Sequence, residues 1–404
     1  MNTKRYSFSI ILLLLSISLI AQSYGSWRGP ERNGHYPDTD LLKVWPEQGP
    51  EIAWHYDELG ERYSSACIHE DKIYLTGNED TIGYVYVLNL SGELQWKATY
   101  GRAYTDAFPN TRSTPVIAEN KLYMLTGYGV IACMNAKNGD LIWTLDTQNE
   151  LDGKNLQWGL TENLLIENEK LFCAVGGQEY NIIAVNKDTG KLIWVSKGLG
   201  DLAAYCSPII LNRAGKKVLV TMMASHIQGH DVETGEMLWS YEQPNRWSVH
   251  ANTPIYDGDA IACVSGYGKG TVKLNLNKTG TAVTKVWFNE SMDNRMGGAV
   301  KIGNYLYASG DKNRGWHCVN WQTGESKYHD KSLANGVVIT ADNMLYIYTD
   351  RGELALVNAN PDAFKIVSKT KVEIGTMQHW AHPVINDGKL YLRHGKSLIV
   401  YNIK

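Results

Sequence analysis

Asn186-Lys187-Asp188-Thr189-Gly190-Lys191-Leu192-Ile193-Trp194 is the stretch that decides the fold. A polar turn ends in a glycine, a short apolar run follows, and a tryptophan stands four residues beyond the glycine. The glycine suits the positive φ of a tight hairpin turn, and the alternation of the outgoing strand aims the indole sideways, toward whatever sheet comes next. The same unit returns as Gly92/Trp96, Gly139/Trp143 and Gly235/Trp239, and as Gly324/Tyr328 with Tyr in place of Trp.

A second element keeps phase with the first. Lys72-Ile73-Tyr74-Leu75-Thr76-Gly77, Lys121-Leu122-Tyr123-Met124-Leu125-Thr126-Gly127 and Lys170-Leu171-Phe172-Cys173-Ala174-Val175-Gly176 are apolar runs that end on a turn. Equivalents surround Leu219, Ala260–Gly266, Tyr305–Tyr307, Met344–Tyr346 and Lys389–Tyr391, giving eight copies at a mean period of about 45 residues. That period is one four-stranded propeller blade, and no stretch holds a 3.6-residue apolar period. The expectation is an all-β chain, an eight-bladed β-propeller of four-stranded antiparallel blades forming a single domain over residues 26–404.

Two blades strain the pattern. Blade five lengthens the spacing to Gly280/Trp287, and blade seven has Val367 where the aromatic is expected. The last unit stops at Lys404 after three strands, while Trp54 precedes the first full unit. Residues near 50–57 are therefore expected to supply the outer strand of the final blade, so that an N-terminal strand closes the ring and removes exposed sheet edges. Trp54, Trp96, Trp143, Trp194, Trp239 and Trp287 become blade-docking residues, and Trp27, Trp45 and Trp321 have no assigned role.

Residues 1–25 read as an export signal: Lys4 and Arg5, the apolar run Phe8 to Ile20, then Ser23-Tyr24-Gly25. The mature chain is expected in the periplasm or outside the cell, as a monomer without a stable membrane span. The six cysteines Cys67, Cys133, Cys173, Cys206, Cys263 and Cys318 form no Cys-x-x-Cys and are read as buried free thiols. Lys plus Arg total 39 against 42 Asp plus Glu, a net charge of -3 that excludes the global basic field of a nucleic-acid binder.

The Asp-x-x-Thr-Gly turn before Trp, in Asp188–Trp194 and in Asp231-Val232-Glu233-Thr234-Gly235-Glu236-Met237-Leu238-Trp239, resembles the tryptophan-docking repeat of the pyrroloquinoline-quinone-type propeller family. Trp27-Arg28-Gly29-Pro30-Glu31-Arg32-Asn33-Gly34 and Gln378-His379-Trp380-Ala381-His382-Pro383 resemble exported, alcohol dehydrogenase-like members of it. The resemblance implies a quinone cofactor (PQQ) with calcium and oxidation of an alcohol or sugar. The superfamily also holds catalytically silent scaffolds such as the outer-membrane assembly lipoprotein. The chain departs from the larger quinoprotein alcohol dehydrogenases in having no adjacent Cys pair, and no calcium-binding carboxylate can be matched residue by residue.

In a propeller the segments leading into the innermost strands, and the loops between second and third strands, surround the axis on one face. Those segments carry Arg112, Arg246, Lys269, Arg295, Lys312, Arg314, Arg351 and Arg393 against Glu179, Asp293, Asp311 and Asp350. The excess of cations points to an anionic small molecule, a quinone tricarboxylate or an acidic sugar. Arg112, Lys269, Arg295, Arg314, Asn252 and His382 are the candidate cofactor ligands, with Trp158, Trp247 and Trp380 as rings that could stack on it and Trp316 as a fourth axial indole. His250 or His379 would take the substrate proton. In a polysaccharide lyase, the second reading, Tyr205 would protonate the leaving oxygen. A binding or assembly scaffold without catalysis is the third.

Overall fold

The computed structural model describes residues 25–106, 113–154 and 156–404. All but the last residue of the expected export signal, and Arg112, lie outside the described residues. The described chain forms eight four-stranded antiparallel sheets whose innermost strands are Cys67–His69, Val116–Ala118, Leu165–Glu167, Ile209–Arg213, Ile255–Asp257, Ala299–Ile302, Gly336–Ala341 and Val384–Asn386. Seven blades use four consecutive strands. The eighth has Val384–Asn386, Lys389–His394 and Ser397–Asn402, and Ile52–Tyr56 completes it, pairing Trp54 with Val400 and Tyr56 with Leu398. The ring is closed by the N-terminal strand, as the truncated last repeat requires. No helix among the described residues is long and apolar enough to cross a membrane.

The middle strands are covered on both faces by neighbouring blades, which is why they read as unbroken apolar runs: every residue of Met344–Thr349 is buried. Cys133, Cys173, Cys263 and Cys318 sit on these middle strands, Cys67 on an innermost strand and Cys206 in a lead-in segment, and all six are buried and without disulfides.

The docking indoles make two kinds of contact. Nε1 donates to a backbone carbonyl of the following blade, from Trp143 to Lys187 at 3.0 Å, Trp194 to Val232 at 2.9 Å and Trp239 to Gly280 at 3.0 Å, whereas Trp96 Nε1 is buried without such a bond. The rings of Trp54, Trp96, Trp143, Trp194 and Trp287 lie against the turn glycines Gly92, Gly139, Gly190, Gly235 and Gly324, so a Cβ on Gly235 would stand 2.4 Å from Trp194. Gly235 also has φ +76, so both the turn and the close approach demand glycine.

Every outer strand carries a one-residue register shift immediately before the docking position. Such a bulge turns the next side chain and deepens the twist. It also corrects the expectation for blade seven. There Ile366 pairs with Val357 and Ser368 with Leu356, so Val367 is the bulged residue and Ser368 holds the docking position. Ser368 Oγ accepts the backbone N–H of Trp45 at 2.9 Å. The Trp45 ring lies 6.1 Å from Tyr346, matching the 6.3 Å between Trp143 and Tyr123. Trp45 thus supplies from the N-terminal segment the indole that blade seven lacks.

Trp194→Ala should cost about 3–5 kcal/mol in guanidinium unfolding, and Gly235→Ala about 1–3 kcal/mol although it adds only a methyl group. An unchanged midpoint for Gly235→Ala would contradict the docking geometry.

Candidate functional site

The segment Gly25–Tyr36 crosses the axis of the ring. Gly25 exchanges two backbone hydrogen bonds with Ile117 of blade two, at 3.1 and 3.0 Å. Arg32 donates to the carbonyls of Leu164 at 2.8 Å and Asn163 at 2.7 Å, in blade three. Arg28 donates to Gly297 O at 2.7 Å and Ala299 O at 2.5 Å, in blade six. His35–Tyr36 runs parallel to the innermost strand of blade seven, pairing with Thr340 and Ala341. The turns that permit this path fall at Arg28, Gly29, Arg32 and Gly34, all with positive φ. Both guanidiniums are buried, which lowers each to about 10, so both stay charged at neutral pH.

Trp27 is held between Arg28 and His382, whose ring meets it edge-on at 4.9 Å. It lines a cavity of about 360 Å³ together with Tyr63, Ser65, Trp158, Thr161, Asn163, Tyr205, Ser207, Trp247, Val249, Ala251, Tyr267, Arg295, Met296, Trp380 and His382. Seven of these are Trp or Tyr, one is a cation and none is a carboxylate. Trp158 and Trp247 meet at 71° with centroids 5.8 Å apart; Tyr63 and Trp380 meet at 41° and 4.7 Å.

A belt of hydrogen bonds positions the wall. The N–H of His382 donates to Ser65 Oγ, that of Ser65 to Thr114 Oγ1, that of Thr114 to Asn163 Oδ1 and that of Asn163 to Ser207 Oγ, at 3.0, 3.1, 2.6 and 3.2 Å. The lead-in segments of blades eight, one, two, three and four are thereby linked in turn. Small hydroxyl or amide side chains recur there because each must accept a backbone N–H in a space closed to water.

Of the expected site residues, Trp158, Tyr205, Trp247, Arg295, Trp380 and His382 come together in the cavity. His250, His379, Asn252, Lys269 and Arg314 do not line it. His250 is buried with Nε2 3.3 Å from Ala224 O and Nδ1 3.5 Å from the Asn245 amide nitrogen, and burial lowers it to about 4. His379 takes a hydrogen bond at Nδ1 from Tyr348 at 2.5 Å and stacks on His394 at 3.9 Å. Burial lowers it to about 4 as well. Asn252 spans to blade six through Asn294 O at 2.7 Å. His382 has Nε2 3.2 Å from Met296 O and Nδ1 3.4 Å from Arg28 Nη1, an arrangement that assigns the proton to Nε2 and turns the lone pair to the guanidinium.

Two expectations fail. Trp316 is not an axial indole: it is buried, donates to Ala334 O at 2.9 Å and stacks on Phe364. The cationic axial face also shrinks, because among the described residues only Arg295 reaches the cavity. Arg393 is buried between blades, donating to Gly60 O at 3.1 Å and Gly395 O at 2.9 Å, and Arg246 lies over the Trp247 ring at 4.8 Å. Asp293 is likewise structural, accepting the N–H groups of Gly268, Asp311 and Lys312 at 2.9 Å each.

The sequence reading missed Trp27, Tyr63, Ser65, Thr161, Asn163 and Tyr267. A signal existed for Tyr63 and Ser65, since Tyr63-Ser64-Ser65 has the phase of Tyr205-Cys206-Ser207.

A quinone with three carboxylates and a calcium ion does not match these donors. The wall offers one guanidinium, already paired with Asp311 at 2.9 Å, and no carboxylate for a cation. Among the described residues no group of three or more His, Cys, Asp or Glu could hold a metal.

A sequence profile described as outer membrane protein assembly factor BamB matches residues 81–328. BamB of Shewanella oneidensis is 24% identical over 191 residues, 46% of this chain and 46% of that protein. The quinoprotein alcohol dehydrogenase PedH of Pseudomonas putida is 26% identical over 138 residues, 32% of this chain and 22% of its own length. The chain therefore matches about half of the one relative and about a fifth of the other. The structure of a europium-containing methanol dehydrogenase superposes with a TM-score of 0.66 at 13% identity, over 92% of this chain and 90% of that one, a likeness of fold.

Arg28→Met, which keeps bulk but leaves two buried carbonyls without donors, should destabilise the protein by about 3 kcal/mol or more in thermal unfolding. His250 gives a pH signature. The unfolded chain takes up its proton near 6.5, the ordinary imidazole value, the folded one only near 4, so the stability it contributes is present above pH 6.5 and lost toward pH 4. The stability difference between wild type and His250→Gln should shift by about 3 kcal/mol across that window, and a flat difference would contradict a buried neutral imidazole.

Proposed function

The chain belongs to the propeller family described as outer membrane protein assembly factor BamB, and from that premise we propose that it is an extracytoplasmic binding propeller whose axial cup seats a ligand without transforming it. One observation carries this reading. The cup is walled by seven aromatic rings and a single guanidinium, and the imidazole that reaches it, His382, has both ring nitrogens engaged. A general base needs a lone pair facing the substrate, and His250 and His379 stand outside the wall. Aromatic rings supply binding area and geometry instead.

The leader-like residues 1–25 and the BamB relative support an extracytoplasmic place. Residues 26–404 would act as one eight-bladed domain, a monomer with the blades as frame.

Quinone-dependent oxidation of an alcohol or sugar is the second reading, favoured by the likeness to PedH. The acid–base reading of a lyase draws support from Tyr205, Arg295 and His382 sharing one wall, but His382 has no lone pair to offer.

Incubation with quinone and calcium, followed by dye-linked assays on alcohols and sugars, should give no reduction above the quinone-only control. Turnover abolished by His379→Ala would overturn the binding reading in favour of the dehydrogenase.

A further inference from the structure

We infer that the ligand of this cup is the terminal residue of an acidic glycan, a pyranose bearing one carboxylate, and that Arg295 is the residue that reads the charge. This deepens the binding reading above and rests on it.

The shape of the wall argues for a chair-shaped ring. The two ring pairs stand at 71° and 41°, so neither forms the parallel slot that sandwiches a flat heteroaromatic. Rings set at an angle instead cover C–H groups that point from different sides of a sugar chair. The side-chain hydroxyl of Thr161 forms no hydrogen bond within the protein and lies in the wall, where it can meet a sugar hydroxyl. Trp27 is part of the wall and the segment carrying it runs between blades three and six, so a chain end, not a threaded chain, is the form of glycan assigned to the cup. Its volume of about 360 Å³ is at the small end of ligand pockets, enough for one or two sugar units.

The charge argument rests on how Arg295 is held. Its Nε lies 2.9 Å from Asp311 Oδ1 in an ion pair, and Asp311 Oδ2 accepts the N–H of Tyr267 at 3.0 Å, so the guanidinium is held from one side by a carboxylate that is itself fixed. Both Nη nitrogens are without a hydrogen bond in the protein, and the side chain is 43% exposed. A guanidinium anchored through Nε presents its Nη atoms to an incoming carboxylate. One cation with one open edge selects one negative charge.

Calorimetric titration with D-glucuronic acid, D-galacturonic acid, the neutral parent hexoses, tri-galacturonic acid and benzoate tests this. A uronic acid should bind at least about tenfold more tightly than its hexose, and Arg295→Ala should abolish that difference, bringing the affinity for the uronic acid down to that for the hexose. Asp311→Asn removes the internal competitor and should tighten uronic acid binding several-fold. The trisaccharide should bind one to one. Equal affinity for hexose and uronic acid would overturn the charge assignment and leave the binding reading intact. Preference for benzoate would overturn the sugar assignment. Silence across the whole panel would count against both readings.

Discussion

Trp143 and Trp194 show the contact that joins successive blades: an indole whose face lies on a turn glycine and whose Nε1 reaches a backbone carbonyl of the neighbouring sheet. The constraint has three parts that succeed only together: a bulge to turn the strand, an aromatic ring to cover the gap, and a glycine without a Cβ to admit it. Where the chain breaks the rule, the fold restores it. Blade seven places Ser368 at the docking position, and Trp45, far away in sequence, fills the gap against Tyr346. The ring therefore closes twice over, through the strand Ile52–Tyr56 in blade eight and through this borrowed indole in blade seven.

The axis is organised by a different principle. Propeller centres expose the ends of many strands to one narrow channel, and here that channel is occupied by Gly25–Tyr36. Arg28 and Arg32 place buried charge against backbone carbonyls of blades six and three, a charge-assisted version of the pairing that buried carbonyls require. The cations that an axial reading of the sequence assigns to a ligand do not converge on the cup: Arg393 is buried in hydrogen bonds to backbone carbonyls, and Arg246 is exposed beside the Trp247 ring. What is left facing the cavity is aromatic area and Arg295. That partition of charge is the physical reason for preferring ligand retention over chemistry at this site.

The fold was legible because its signal repeats. A glycine and a tryptophan four residues apart, returning in phase with an apolar strand, specify blade, turn and inter-blade contact together, and Trp54 with the truncated last repeat specifies closure. The site was legible only in part. Trp158, Tyr205, Trp247 and Trp380 could be placed because lead-in segments converge on the axis in any propeller. Trp27 could not, because nothing local in Trp27-Arg28-Gly29-Pro30 announces that its carbonyl partners lie some 270 residues away, at Gly297 and Ala299. Val367 misled because a one-residue bulge shifts register without a sequence signature of its own. Charges misled for a similar reason, since composition counts a cation without saying whether water, a carbonyl or a ligand will face it.

On the proposed reading, the axial cup that Trp27 lines is where this propeller meets its ligand. The most direct measurement is a two-dimensional spectrum of the protein labelled with nitrogen-15 at its 13 tryptophan indoles, titrated with uronic acids. Binding in the cup should shift the indoles of Trp27, Trp158, Trp247 and Trp380 alone, with the docking indoles of Trp143, Trp194 and Trp239 unmoved. Shifts confined to the docking indoles, or a cup that stays silent while ligand binds elsewhere, would contradict it.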